Sequence, residues 1–119
     1  MAVLQITSKH KVFMAVHPID FRRGIDGIAA LCEQHYQLNA KSGHYFLFRN
    51  RTGDAIKILA YDAQGFCLLH KRLSAGRFKH WPTSSQQALE LTPTQLQVLF
   101  ANGDPHLVST HSWQSIDAP

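Results

Sequence analysis

Residues 44–73 contain three segments of alternating side chains separated by two short turns, and this pattern restricts the fold more than any other. The alternation has the period of two that β-strands require, over residues 44–49, 55–61 and 66–73. The first turn has hairpin chemistry, because Gly53 can adopt a positive φ without a steric penalty. Turns this short favour antiparallel neighbours, so the sequence predicts a three-stranded β-meander.

The flanking segments add one strand and two helices. Residues 11–16 are rich in β-formers and stop at Pro18, which predicts a short first strand. Apolar residues at helical spacing predict an amphipathic helix over about residues 24–37. A second helix is expected to begin at Thr92, because Pro93 suits the first helical position and Gln95 can close a capping box. Asn102 and Gly103 supply its C-terminal stop.

These elements predict an α+β fold in the order β-α-β-β-β-α, with an antiparallel meander and both helices packed on one face. The 119 residues suit one hydrophobic core. We expect a loose N-terminal segment at 1–10, a single domain at 11–103 and a flexible C-terminal tail at 104–119. No apolar stretch is long enough for a signal peptide or a membrane span. Cys32 and Cys67 are expected to be inert core thiols in a reducing cytoplasm.

Positive charge is concentrated in the meander and in the segment that follows it. Residues 41–81 carry eight Lys and Arg but two Asp, whereas the rest of the chain has four basic and six acidic residues. In a meander, the first hairpin loop and the end of the third strand lie at the same end of the sheet. We therefore expect the basic side chains to gather there beside Tyr45, Tyr61 and Trp81, an arrangement that suits phosphate contacts plus base stacking.

The predicted nucleic-acid-binding residues are Arg22, Arg23, Arg49, Arg51, Lys57, Lys71, Arg72, Arg77, Lys79 and Trp81. A solvated basic face that only discourages edge-to-edge aggregation is the alternative. Arg22 and Arg23 precede a helix start, where they could contact phosphate. Equally, Arg22 could pair with Asp20 or Asp26 and fix the turn between strand and helix.

Catalytic chemistry is not expected. A nuclease would need a group of carboxylates for metal ions, and the candidates are Asp20, Asp26, Asp54 and Asp62. Three of these four lie at turns or a helix start, where Asp commonly caps the backbone. The eight histidines lack the spacing of paired zinc ligands, and no glycine-rich phosphate loop is present. The sequence therefore predicts no enzyme activity, no metal and no cofactor.

Three motifs together resemble a known family. The first runs from Met14 to Leu31, and the second consists of Phe48 to Asp54 followed by Ile56 to Leu59. The third combines Gly65 to Leu68 with Lys71 to Leu73 and Gly76 to Phe78. The combination, covering about residues 12–103, is similar to TnpB, the small accessory protein encoded by the second reading frame of insertion sequences in the class numbered sixty-six. This TnpB is unrelated to the RNA-guided nuclease of the same name. The resemblance implies a non-catalytic protein that works in transposition beside a separate, larger transposase.

The charge and the resemblance together predict an accessory factor that binds DNA, at element ends or at the target, through a basic β-hairpin surface. The transposase of the same element would be its second partner. The alternative is an adaptor that docks on the transposase through an exposed sheet edge or the C-terminal helix, without direct DNA contact. We expect a bacterial cytoplasmic location, associated with the nucleoid when DNA is bound, and no membrane partner.

Overall fold

The computed structural model describes residues 9–108, which form a five-stranded mixed β-sheet with two α-helices. The strands are β1 (Val12–Ala15), β2 (Tyr45–Arg49), β3 (Ala55–Tyr61), β4 (Phe66–Arg72) and β5 (Ala88–Leu91). The helices are α1 (Ile25–Gln34) and α2 (Pro93–Phe100), followed by a short 3-10 helix, Pro105–Leu107. The predicted α+β class is confirmed.

The predicted meander is present as β2, β3 and β4, which pair antiparallel in sequence order. Its first turn is held by side chains of the loop itself, since Asn50 donates to the Asp54 carboxylate at 2.6 Å and accepts from the Ala55 amide at 3.1 Å. Gly53 has a φ of +76°, a conformation that L-residues with a Cβ rarely adopt. Local sequence is therefore sufficient to set this hairpin.

The sheet also contains pairings that the meander does not include. Its strand order is β4-β3-β2-β1-β5, with β1 parallel to β2 and antiparallel to β5. The expected order β-α-β-β-β-α thus lacks one strand, β5, and the sheet is mixed rather than purely antiparallel. The four residues of β5 carry no strong strand signal, and they are ordered by pairing with β1, about seventy residues earlier in the chain.

The two helices cover opposite faces of the sheet, so the expectation that both pack on one face is wrong. Leu96 and Leu99 of α2 share a buried cluster with Leu47 of β2, whereas Ile28 of α1 belongs to a cluster around Phe46. Phe46 and Leu47 are consecutive strand residues and therefore point to opposite faces. Both faces of the central strands are apolar and buried, so a helix packs on each face.

The start of α2 has the predicted capping box. The Thr92 hydroxyl accepts from the Gln95 amide at 3.1 Å, and the Gln95 side chain accepts from the Thr92 amide at 2.9 Å. Pro93 occupies the first turn, as expected. The predicted stop is also observed, with Asn102 at a φ of 65° directly after the helix.

The sequence predicts that the domain ends at residue 103, and the described residues just after this position pack against the domain. Pro105 is buried, and the Gln95 side chain of α2 donates to the Val108 carbonyl at 3.1 Å. Most of the predicted N-terminal segment, residues 1–8, and the part of the predicted tail at 109–119 lie outside the described residues.

Lys57 is a buried cation in the face that α1 covers. Its side chain is only 7% exposed, and its ammonium donates to the carbonyls of Phe21 at 2.9 Å and Arg23 at 3.1 Å. The ammonium also lies 4.9 Å from the centre of the Phe21 ring. Lys57 thus fastens the segment that leads into α1 to the middle of the sheet.

Replacing Lys57 by methionine is expected to lower the free energy of unfolding by about 2 kcal/mol, because two carbonyls lose a charged donor while the side-chain volume is kept. Urea denaturation measures the change. The exposed Lys41 is the matched control, and Lys41→Met should change the free energy by less than about 0.5 kcal/mol. Equal effects at the two positions would contradict a structural role for Lys57.

Candidate nucleic-acid interface

The first hairpin loop, residues 50–54, lies between two other segments at one end of the sheet. On one side, the Ile19 amide donates to the Arg49 carbonyl at 3.0 Å. On the other side, the Leu73 amide donates to the Asp54 carbonyl and the Phe78 amide to the Gly53 carbonyl, both at 2.8 Å. Since β1 runs parallel to β2, the residues that follow both strands meet at this same end.

This arrangement brings six exposed cations together on three segments. We name them the basic end: Arg22, Arg23, Arg51, Arg72, Arg77 and Lys79. The first two precede α1, and Arg51 lies in the hairpin loop. Arg72 is the last residue of β4, and Arg77 and Lys79 follow that strand. Four of these cations, Arg51, Arg72, Arg77 and Lys79, belong to the predicted gathering of charge at one end of the meander. Arg22 and Arg23 join them through the parallel pairing of β1 with β2.

An open cleft of about 350 Å³ runs between the loop and the segment before α1. It is lined by Ile19, Asp20, Phe21, Arg22, Asn50, Arg51 and Thr52. The two arginines stand on its opposite walls, which belong to segments thirty residues apart in sequence. The cleft therefore presents guanidinium groups from two sides over a partly apolar floor.

Asp20 and Asp54 are the carboxylates of this region. Arg22 forms a bidentate pair with Asp20, with its Nη2 atom 2.7 Å from Oδ2, and these hydrogen bonds hold the pKa of Asp20 well below its ordinary value. Asp54 accepts from the side chains of Asn50 and Thr52, which lower its pKa in the same way. Both carboxylates are thus charged at neutral pH and have structural partners within their own turns.

Within residues 9–108, Arg22 is the one member of the basic end that lies within 4.0 Å of a carboxylate. The question left open by the sequence, whether Arg22 pairs with Asp20 or with Asp26, is answered by the geometry in favour of Asp20. Arg22 nevertheless keeps a 92% exposed side chain, so its outer edge faces solvent.

Three predicted site residues lie in the interior or pack against it. The Trp81 side chain belongs to the core with 8% exposure, and its indole N–H donates to the Ala15 carbonyl at 3.1 Å. Arg49 lies over the Trp81 ring, 5.6 Å from its centre, and donates to the Val16 carbonyl at 3.3 Å. Lys57 is buried under Phe21, as described above. These three side chains support the basic end from within.

Lys71 is also engaged by the fold. Its ammonium donates to the Phe100 carbonyl at 2.6 Å and lies 4.5 Å from the centre of the Phe100 ring. Phe100 is the last residue of α2, where carbonyls lack helical partners and the helix dipole is negative. Lys71 therefore caps α2 and links it to β4.

Asn102 has a role that sequence reasoning missed, since it was expected only as a helix stop. Its side chain donates to the Arg77 carbonyl and accepts from the Lys79 amide, both at 3.1 Å. These two bonds fix the segment that carries the last two cations of the basic end. An Asn at a helix C-terminus is common, so no local signal distinguishes this clamp.

The aromatic side chains expected beside the basic end lie elsewhere. Tyr45 begins β2 and Tyr61 ends β3, so both are at the opposite end of the sheet. Tyr61 there contacts the Phe66 ring, with centres 5.0 Å apart, and Lys41 lies over its ring at 5.9 Å. The sequence-based expectation of stacking aromatics next to the charge is therefore wrong for both tyrosines.

The groups considered for catalysis are dispersed. Asp62 accepts from the amides of Gln64 and Gly65 in the second turn, and Asp26 lies in the first turn of α1. Across residues 9–108, no cluster of three or more His, Cys, Asp or Glu side chains could hold a metal ion.

The two cysteines have different environments. Cys32 is buried, and burial raises its pKa to about 12. Cys67 is exposed on β4, so the expectation of a second core thiol is wrong. An edge strand faces solvent on one side, which alternation alone does not reveal. None of the helices described between residues 9 and 108 is long and apolar enough to cross a membrane.

Two comparisons of the amino-acid sequence identify proteins to which this chain is similar. The sequence model of the family described as IS66 Orf2 like protein matches residues 10–109. Two similar curated proteins are the uncharacterized proteins y4hO and y4jC of Sinorhizobium fredii (strain NBRC 101917 / NGR234). The first is 36% identical and the second 31% identical to this chain, each over 94 residues. The aligned residues cover 79% of this chain, 81% of y4hO and 80% of y4jC.

No solved structure matches the chain. The family match spans most of the sequence and includes all three motifs that carry the predicted resemblance. It also agrees with an accessory protein of this insertion-sequence class and not with the RNA-guided nuclease that shares the name TnpB. The chain therefore belongs to the IS66 Orf2-like family of insertion-sequence accessory proteins.

Proposed function

We propose that this protein assists transposition by binding the phosphate backbone of DNA through the basic end. The observation that carries the proposal is the meeting of six exposed cations, drawn from three segments, at one end of the sheet. Like charges held so close repel one another, and a polyanion relieves that repulsion. The transposase of the same element, which would carry the catalytic residues, is the expected partner in the DNA complex.

Hydrogen bonds that hold the segments of the basic end in place support the proposal. Backbone hydrogen bonds fasten the end of β2 to the segment before α1 and the hairpin loop to the segment after β4. Asn102 clamps the segment of Arg77 and Lys79. Cations on fastened segments lose less conformational freedom when they bind than cations on loose loops do. The basic end is thus preorganised for an extended anionic ligand.

Fluorescence anisotropy with labelled element-end DNA tests the proposal. If four or five of the cations each neutralise one phosphate, the logarithm of the binding constant should fall with the logarithm of salt concentration with a slope of about −4. Random duplex under the same conditions reports how much of the affinity depends on sequence. No binding at low salt, or a slope shallower than about −1, would count against the basic end as a DNA surface.

Asp20→Asn is expected to tighten DNA binding by roughly twofold to fivefold, because it removes a negative charge and releases Arg22 from its ion pair. Anisotropy at fixed salt measures the gain. Asp62→Asn is the matched control, since Asp62 lies in the turn between β3 and β4, at the far end of the sheet. A loss of affinity in Asp20→Asn would indicate that the turn geometry matters more than the charge.

An adaptor role is the second candidate, favoured by Leu107. This side chain is 80% exposed, and it adjoins Pro105 and His106, which line a second open cleft with Leu89 and Leu91 of β5. A transposase could dock there through apolar contacts. Co-purification of the purified transposase after nuclease treatment, lost in Leu107→Asp, would support this role. Co-purification that requires intact DNA would support the DNA-binding proposal instead.

A further inference from the structure

We infer that the basic end takes double-stranded nucleic acid along its phosphate backbone, without stacking on bases. The inference rests on the proposed function and names the class of ligand at the same surface. Proteins that prefer single strands combine a basic groove with aromatic side chains on which successive bases stack. Among the described Phe, Tyr and Trp side chains, those nearest to the basic end are already committed to the fold.

Phe78 and Trp81 follow the last cations along the chain, but both face the core. They are 7% and 8% exposed, and the Trp81 indole N–H is used by the Ala15 carbonyl. The Arg49 guanidinium also lies over the Trp81 ring, 5.6 Å from its centre. Neither ring can receive a base without leaving the core.

Phe21 borders the cleft and is the remaining candidate for stacking among the described Phe, Tyr and Trp side chains. Its ring has the Lys57 ammonium 4.9 Å from its centre and the His70 ring in edge contact, with centres 5.7 Å apart. The ring therefore shields the buried Lys57 ammonium, which keeps the segment before α1 in place. Moving it to stack on a base would expose this cation and disturb its two hydrogen bonds to backbone carbonyls.

The cations themselves suit a broad, charged target. They are exposed on three different segments, one of which is the hairpin loop and two of which lie on either side of it. Duplex DNA carries one charge per about 1.7 Å of axis, twice the density of either strand alone. A surface that recognises phosphates only should therefore prefer the duplex.

Three probes distinguish duplex binding through phosphates from single-strand binding through stacked bases. They are a random duplex, one of its strands, and an abasic strand of the same length, each titrated against the full chain by anisotropy. Duplex binding releases about 0.9 counterions per phosphate and single-strand binding about 0.7. Over about five contacts, this difference predicts roughly tenfold tighter duplex binding at about 0.1 M salt. The ordinary and the abasic strand should bind within about twofold of each other, because no base is stacked.

An ordinary strand that binds about fivefold or more tightly than the abasic strand would overturn the inference, since one stacked base contributes at least that much. If this strand also bound as tightly as the duplex, DNA binding would stand while the duplex preference failed. Failure of all three probes would instead overturn the proposed function, and the inference with it. Phe21→Leu provides an independent check, because it should leave the ratio between ordinary and abasic strands unchanged.

Discussion

Duplex DNA binding should weaken by between about tenfold and a hundredfold at 0.1 M salt when Arg51 and Arg77 are both replaced by alanine. Each arginine is exposed, and within residues 9–108 neither side chain lies within 4.0 Å of a carboxylate. Losing two phosphate contacts should also make the salt slope shallower by about 1.8. Anisotropy across a salt series measures both quantities. The free energy of unfolding should stay within about 0.5 kcal/mol of the wild type, because the two side chains support no core contact.

The matched control removes the same amount of charge from the other end of the sheet. Lys11 and Lys41 are exposed and precede β1 and β2, respectively. The double variant Lys11→Ala with Lys41→Ala should bind duplex DNA within about threefold of the wild type, because these cations lie outside the proposed contact. Equal losses in the two double variants would mean that net charge, and not the basic end, controls binding.

Trp81→Ala should lower the free energy of unfolding by about 3–5 kcal/mol, which is the usual cost of truncating a buried tryptophan. The side chain fills the core on the α2 face, and its indole N–H satisfies the Ala15 carbonyl at the end of β1. Its removal would also leave Arg49 without the ring against which it lies. Urea denaturation followed by circular dichroism measures the loss, since the variant lacks one of the two tryptophans.

Trp81→Phe distinguishes this structural role from the nucleic-acid contact that the sequence predicts for Trp81. The variant keeps an aromatic ring in the core but loses the N–H donor, so a smaller destabilisation of about 1–2 kcal/mol is expected. DNA binding should be retained wherever the variant is folded. A folded Trp81→Phe protein with a tenfold loss of affinity would place Trp81 in the interface and contradict the core assignment.

Features that depend on near neighbours in the chain could be predicted from the sequence. The hairpin at Asn50–Asp54 and the capping box at Thr92 and Gln95 are set by residues within five positions of each other. The meander follows from alternation and from turns too short for any other connection. The concentration of Lys and Arg between residues 41 and 81 is likewise visible without coordinates.

Which basic and aromatic side chains lie at the exposed surface could not be predicted in the same way. Lys57 looks like any strand lysine, yet its partners Phe21 and Arg23 lie 36 and 34 residues earlier. Trp81 reads as an aromatic beside basic residues, yet its partner Ala15 is 66 residues away. A cation or an aromatic ring becomes a structural residue when distant segments enclose it, and periodicity carries no information about that enclosure.

Motifs and local patterns were therefore enough to predict the family, the α+β class, the meander and the region that carries the positive charge. The tertiary structure added the parallel pairing of β1 with β2, which brings Arg22 beside the hairpin loop. It also placed the helices on opposite faces and sorted the basic residues into exposed and engaged ones. The physical reason is that burial and charge pairing depend on contacts between segments far apart in the chain, whereas turns, caps and alternation are local.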